Sequence, residues 1–422
     1  MRGPFTALLV LAALLVGVAP AGAYDAADLR TTLAREMRSA TPASGAYVED
    51  LDADRQLFAV RADRTRIPAS VEKLFTTATA LLRLGPGMTL DTSAVSTGEV
   101  DAAGVLRGDL TLVGAGDPFF GAESAAKLAR AVRQAGITRI EGAVVGDESR
   151  FDRRRAGCCS GYDPDLGGVL SALAYDRGVF RGRLQLDAPL FAARRFAALL
   201  RIAGVTITAT SRAGPAPAAA GAIATVSSMD VRALIGLVNV PSNNFASEML
   251  LKGLGARYRS SGTTRSGAAV VRDTLARIAV RPSVRDGSGL SRLNRATPRE
   301  VVRLLERMDL PDISGAFRAS LAVAGQTGTV RRRMRATAAF GRCRVKTGTL
   351  RAVSALAGYC RTLGGRNIGF ALMFNRANTF AEKAREDRIT AAIARLGADV
   401  GAPVPPPAEA PPGAPSGGAG TP

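Results

Sequence analysis

Histidine does not occur among the 422 residues. Its absence removes Ser-His-Asp and Cys-His catalysis and histidine-ligated zinc hydrolysis. A hydrolase made from this chain must therefore take its base from Lys, Glu, Asp or Tyr. Lysine is scarce too: Lys73, Lys127, Lys252, Lys346 and Lys383 are the five among 56 basic residues. Aromatic residues are few, at 5%, and no groove-reading motif is present. The net charge of +20 is read as arginine spread over solvated faces, compatible with attraction to an anionic cell envelope rather than to nucleic acid. Long apolar runs are also missing. Beyond the first residues no stretch approaches about 18 unbroken apolar positions, so the mature chain is expected to be soluble.

What is present begins with a leader. Arg2, the apolar run from Ala7 to Val18 and the small residues Ala21-Gly22-Ala23 follow the pattern of a secretory signal peptide over 1–23. Four cysteines fit the oxidising compartment to which such a leader directs a chain. Cys343 and Cys360 flank two runs that read as paired strands, 344–350 and 353–359. A tight turn near Arg351 makes them cross-strand partners, and a disulfide is expected between them. Cys158 and Cys159 are adjacent, and a vicinal bridge, two thiols or intermolecular links all stay open. Residues 401–422, rich in Pro, Ala and Gly, read as a disordered tail.

Between these ends the texture changes twice. A helix over 25–39, a hairpin over 45–51 and 56–61, and an amphipathic helix over 70–84 form a first block. Residues 89–228 alternate short strand-like runs with two helical stretches, 124–135 and 192–203. Helical texture then resumes at 231–239, 245–255 and 267–278. Thr297-Pro298-Arg299-Glu300 is a helix start, with an N-cap Thr, Pro at the first position and Glu at the third. Two strands and a helix near 379–396 close the chain. The expected fold class is α/β (α+β), with a discontinuous core, 24–88 and 229–400, interrupted by a strand-rich insert over 89–228.

Ser70-Val71-Glu72-Lys73 places a hydroxyl and an amine one helical turn apart on one face. Desolvation disfavours an ammonium, so a buried Lys can lose its proton and then accept that of its neighbour. Arg cannot do this. Ser124-Ala125-Ala126-Lys127 has the same spacing, but within a surface-type helix and with no partner motif near. Ser242-Asn243-Asn244 lies on a turn between two helices, where by itself it is ordinary turn chemistry. In Lys346-Thr347-Gly348-Thr349, strand alternation puts Lys346 and Gly348 on one face and Thr347 and Thr349 on the other. The glycine lets a substrate backbone approach, and the ammonium and hydroxyls can hold a carboxylate. The competing reading is an edge-strand Lys among β-favouring threonines.

Taken in order, these three motifs resemble the Ser-x-x-Lys, Ser-x-Asn and Lys-Thr-Gly set of the penicillin-recognising serine hydrolases. Asp286-Gly287-Ser288-Gly289-Leu290-Ser291, with Asn294 and Thr297-Pro298, is similar to a signature of one branch. So are Gly114-Ala115-Gly116-Asp117-Pro118 and Gly328-Thr329-Val330-Arg331. That branch is the D-alanyl-D-alanine carboxypeptidase/endopeptidase family of the penicillin-binding protein 4 type, peptidase family S13. The match runs from about Tyr47 to the last helix.

The resemblance implies a β-lactamase/transpeptidase-like core. It implies Ser70 as the acylated nucleophile and Lys73 as its base. Ser242, aided by Lys346, would relay the proton to the leaving D-alanine amine, and Asn244 would bind the substrate amide. Thr347, Gly348 and Thr349 would bind the substrate, the two hydroxyls at its carboxylate. The oxyanion hole would be the Ser70 N–H and a strand N–H near Thr349. Asp147 would receive the free amine of diaminopimelate. Peptidoglycan stem peptides are the implied substrates and β-lactam antibiotics the implied covalent inhibitors, with no cofactor and no metal.

Two other functions compete with this one. A β-lactamase of related fold would need a Glu-x-x-Leu-Asn deacylation segment, which is absent. A non-catalytic basic envelope-binding protein predicts a broken motif, and none is broken. Few residues separate Ser70 from Ser242 for this family, so a nested third domain is expected to be reduced or missing. The Asp286 segment has no place near the other motifs and reads equally well as a glycine-rich turn.

Overall fold

The computed structural model describes residues 23–157 and 164–397. The expected leader, the tail and the Cys158-Cys159 pair lie outside the described residues.

Six antiparallel strands form the central sheet, in the spatial order Ala322–Val323, Cys343–Leu350, Val353–Arg361, Asn367–Asn375, Gly45–Asp50, Arg55–Val60. Both ends of the chain build it, because Gly45–Asp50 pairs with Asn367–Asn375. The hairpin and two late strands are legible in the sequence, but Asn367–Asn375, the strand that joins them, is not. Its run Ile368-Gly369-Phe370-Ala371-Leu372-Met373-Phe374 lacks polar alternation because both of its faces are covered, as continuous apolar strands commonly are. Phe370, Leu372 and Phe374 face a core shared with Leu29, Leu33, Ile389 and Ile393 of the helices Ala26–Arg38 and Thr379–Ala394. Ala371 and Met373 face the opposite core, with Leu74, Phe75, Leu250 and Val301. The Ser70, Ser242 and Lys346 motifs sit on this second side.

Cys343 and Cys360 stand opposite one another in the register and are bonded, as the strand pairing implied.

Residues 91–227 build a second sheet. Its strands are Arg212–Ala213, Val144–Asp147, Leu110–Val113, Asp91–Ser96 and Gly221–Ser227, parallel among the first three and antiparallel thereafter. Helices Ala122–Gln134 and Ala188–Ile202 cover it, around Leu112, Leu128, Val144, Phe196 and Leu200. The chain enters and leaves this unit at adjacent points: Ser228 N–H donates to the Leu90 carbonyl at 3.2 Å and Leu90 N–H to the Ser228 hydroxyl at 2.9 Å. Such close termini let a unit be inserted without disturbing its host. The unit also touches the host helix Asn244–Arg259, where Phe151, Leu166 and Leu170 pack on Phe245 and Met249. Lys252 pairs there with Asp152 at 2.5 Å.

Candidate active site

Ser70 was expected in the first turn of an α-helix. It lies instead in a 3₁₀ turn, Ala69–Glu72, and the α-helix begins at Lys73 and runs to Leu84. The 3₁₀ turn has three residues per turn, so positions i and i+3 eclipse. Ser70 and Lys73 therefore stand one above the other, and the amine donates to Ser70 Oγ at 2.9 Å.

Ala69 holds this turn in the left-handed region, with φ +48°, a conformation that costs a non-glycine residue about 1–3 kcal/mol. Two glycines make room for it. A Cβ on Gly289 would lie 2.0 Å from the Ala69 carbonyl oxygen. One on Gly348 would lie 2.6 Å from the Pro68 oxygen and 3.2 Å from the Ser70 nitrogen. Gly348 thus admits the protein's own backbone at Ser70.

The three motifs converge. Lys73, fully buried, donates to Asn244 Oδ1 at 2.6 Å and to the Ser288 carbonyl. Ser70 Oγ lies 3.3 Å from that same carbonyl. Asn243 caps the helix Asn244–Arg259 by accepting from Ala246 N–H at 3.0 Å, and Ser242 before it is left-handed at φ +62°. This turn presents the Ser242 hydroxyl to Lys346, whose amine lies 2.8 Å from it and 2.8 Å from the Thr347 carbonyl. Lys346 is also fully buried.

Burial brings the Lys73 amine down to about 8, against the opposing pull of Asp286, Glu248 and Glu72. Burial lowers Lys346 well below the ordinary lysine value, and the charge of Lys73 adds to the effect. Both amines are thus brought toward the neutral form that a proton acceptor needs.

Other expected residues hold different places. Thr347 is buried, and its hydroxyl donates to the Thr329 hydroxyl at 2.8 Å, whereas Thr349 is exposed. Asn244 donates its Nδ2 to the Asp165 carbonyl at 2.7 Å, so the insert reaches the rim of the site. Asp147 is 4% exposed. Its two oxygens accept from Ser149 N–H at 2.7 Å and Ala216 N–H at 2.9 Å. These two bonds brace the turn after the strand Val144–Asp147.

The Asp286 segment, which the sequence does not place near the other motifs, supplies the Ser288 carbonyl between Ser70 and Lys73. Glu248, Glu72 and Thr329 were also missed. Glu248 could have been found: Asn244, Glu248 and Lys252 recur every four residues, which on a helix is one face.

Known proteins resemble this chain in sequence and in fold. The sequence profile of the D-Ala-D-Ala carboxypeptidase 3 (S13) family matches residues 26–165 and 168–396. A D-alanyl-D-alanine carboxypeptidase of Actinomadura sp. (strain R39) is 29% identical over 90% of this chain and 88% of its own length. A carboxypeptidase of Mycobacterium tuberculosis is 27% identical over 76% of this chain and 73% of its own. In fold, the chain is similar to penicillin binding protein 4 of Haemophilus influenzae, with a TM-score of 0.74 at 19% identity, covering 86% of this chain and 98% of that one.

Proposed function

This chain belongs to the D-Ala-D-Ala carboxypeptidase 3 (S13) family, and from that premise we propose that it cleaves the peptide bond after a D-residue in peptidoglycan stem peptides through an acyl-enzyme on Ser70. The observation that carries the reading is the buried Lys73 amine 2.9 Å from the Ser70 hydroxyl. The Ser70 Oγ–H proton passes to the Lys73 lone pair as Oγ bonds to the substrate carbonyl carbon. The oxyanion so formed is held by the Ser70 N–H and by a backbone N–H of the strand that runs past it at Gly348. The C–N bond then breaks, and the leaving amine takes a proton through Ser242, whose hydroxyl Lys346 holds. Asn244 and the Thr347–Thr349 strand line the substrate, and water releases the acyl group. Carboxypeptidase and endopeptidase action share these steps and differ only in the amine that leaves.

A β-lactam presents the same carbonyl to Ser70 and would be held as a long-lived adduct. The leader pattern and the Cys343–Cys360 disulfide support a place outside the cytoplasm. The basic surface supports association with an anionic envelope. Release of D-alanine from an acyl-D-Ala-D-Ala peptide, lost in Ser70→Ala, is the expected result. Equal release by Ser70→Ala would refute the assignment.

A further inference from the structure

A neutral amine has two N–H groups and one lone pair. Around Lys73 two neighbours can only accept, Asn244 Oδ1 at 2.6 Å and the Ser288 carbonyl. When they take the two hydrogens, the lone pair is left for the third neighbour, the Ser70 hydroxyl at 2.9 Å. The direction of that lone pair therefore depends on what fixes the two acceptors.

Asn244 is fixed by its helix. The Ser288 carbonyl belongs to a loop, and Glu248 grips that loop: its Oε1 accepts from Gly287 N–H at 3.0 Å and Ser288 N–H at 2.8 Å. Ser247 and Thr76 hydroxyls donate to the Gly287 carbonyl at 2.5 and 3.2 Å. Asp286 braces the other side, accepting from Gly289 N–H, Ser291 N–H and Asn294 Nδ2. Glu248 follows Asn244 by one helical turn, so a single face of the helix Asn244–Arg259 carries one acceptor and the residue that aims the other.

We propose that Glu248 is a positioning residue for the reaction: it aims the Ser288 carbonyl at Lys73, and its negative charge is felt by the Lys73 ammonium. This rests on the reading of Lys73 as the base.

The charged groups in this neighbourhood are Glu72 in the nucleophile turn, Asp286 in the loop, Lys252 one turn further along the Glu248 helix, and Lys346 in the strand. Glu72 is fully buried with both oxygens unpartnered, and burial, then Asp286 and Glu248, raise it well above the ordinary range. Burial and Asp286 raise Glu248 to about 7, so its charge changes within the working range.

An anion near Lys73 favours the ammonium, and removing it must shift Lys73 to lower pH. The test is the rate of acylation by benzylpenicillin as a function of pH. Glu248→Gln keeps the acceptor oxygen and loses the charge, and the acid limb should move down by about half a unit or more. Glu248→Ala loses both, and the plateau should fall by about 30-fold or more. A Glu248→Gln profile that overlays the parent profile overturns the proposal, and so does a Glu248→Ala plateau equal to that of the parent. If the alanine variant does not fold, the glutamine profile decides alone. Lys73→Arg separates the two claims. If it acylates as fast as the parent, the base reading fails and this inference falls with it. If it is inactive while Glu248→Gln keeps the parent profile, only the inference fails.

Discussion

Two Ser-x-x-Lys tetrapeptides occur in this chain, one in the core and one in the insert, and they differ in everything except spacing. Ser70 to Lys73 occupies a strained 3₁₀ turn wedged between Gly289 and Gly348, and the Lys73 amine is buried against three oxygens. Ser124 to Lys127 lies on the regular helix Ala122–Gln134, where Lys127 is 58% exposed and pairs with Glu123, likewise exposed, at 2.7 Å. Such a surface pair contributes little. The tetrapeptide is therefore no signature of chemistry by itself. What makes it reactive is the desolvation and the acceptors that distant segments bring: Asn244 from a helix start, Ser288 from a loop, Lys346 from a strand.

The contrast breaks most sharply at the lysines. Lys73→Arg should slow β-lactam acylation by about a thousandfold or more, because Arg keeps the charge and cannot accept a proton. Lys127→Arg should leave the rate within about twofold. Stopped-flow acylation checks both, and similar losses in the two variants would erase the distinction between the sites. Ser242→Ala removes the hydroxyl that faces Lys346 and should lower turnover of a D-Ala-D-Ala peptide by about a hundredfold. Loss of binding alone, with kcat intact, would move Ser242 out of the proton path.

The disulfide sharpens the comparison from the side of stability. Cys343→Ser should destabilise by about 3 kcal/mol, read as a lower denaturant midpoint. Acylation should survive, since the Lys346 strand also pairs with Val353–Arg361 along its length. The pH dependence follows from burial of the Lys73 amine, which sits at about 8. Its neutral form grows as pH rises, so acylation should climb about tenfold per unit below that value and level off above it. A rate flat from pH 6 to 9 would contradict this.

The smallest effect belongs to the insert. Asp147→Asn loses one of two backbone acceptors and should cost about 1–2 kcal/mol of stability. It should lower turnover of amine-bearing and acetylated peptides equally, if at all. A loss confined to the amine-bearing peptide would assign Asp147 to substrate recognition.

Much of this was legible from residue patterns. The helix Val231–Asn239 falls where the pattern placed it, the Thr297–Glu300 capping box is present, and Cys343 pairs with Cys360, because each depends on neighbours in sequence or on one hairpin. The strand Asn367–Asn375 was hidden, since burial on both faces removes the alternation that marks a strand. The Asp286 loop and Glu248 were hidden for another reason: their roles come from contacts across the fold to Lys73, which no local period encodes. Gly348 marked a close backbone approach, and the Pro68–Ser70 backbone lies against it.

The account stands on Ser70 as the one nucleophile, and a fluorescent penicillin followed by peptide mapping tests that directly. The label should fall on the peptide that contains Ser70 and vanish in Ser70→Ala. Label on the Ser124 peptide, or an adduct that persists in Ser70→Ala, would contradict it.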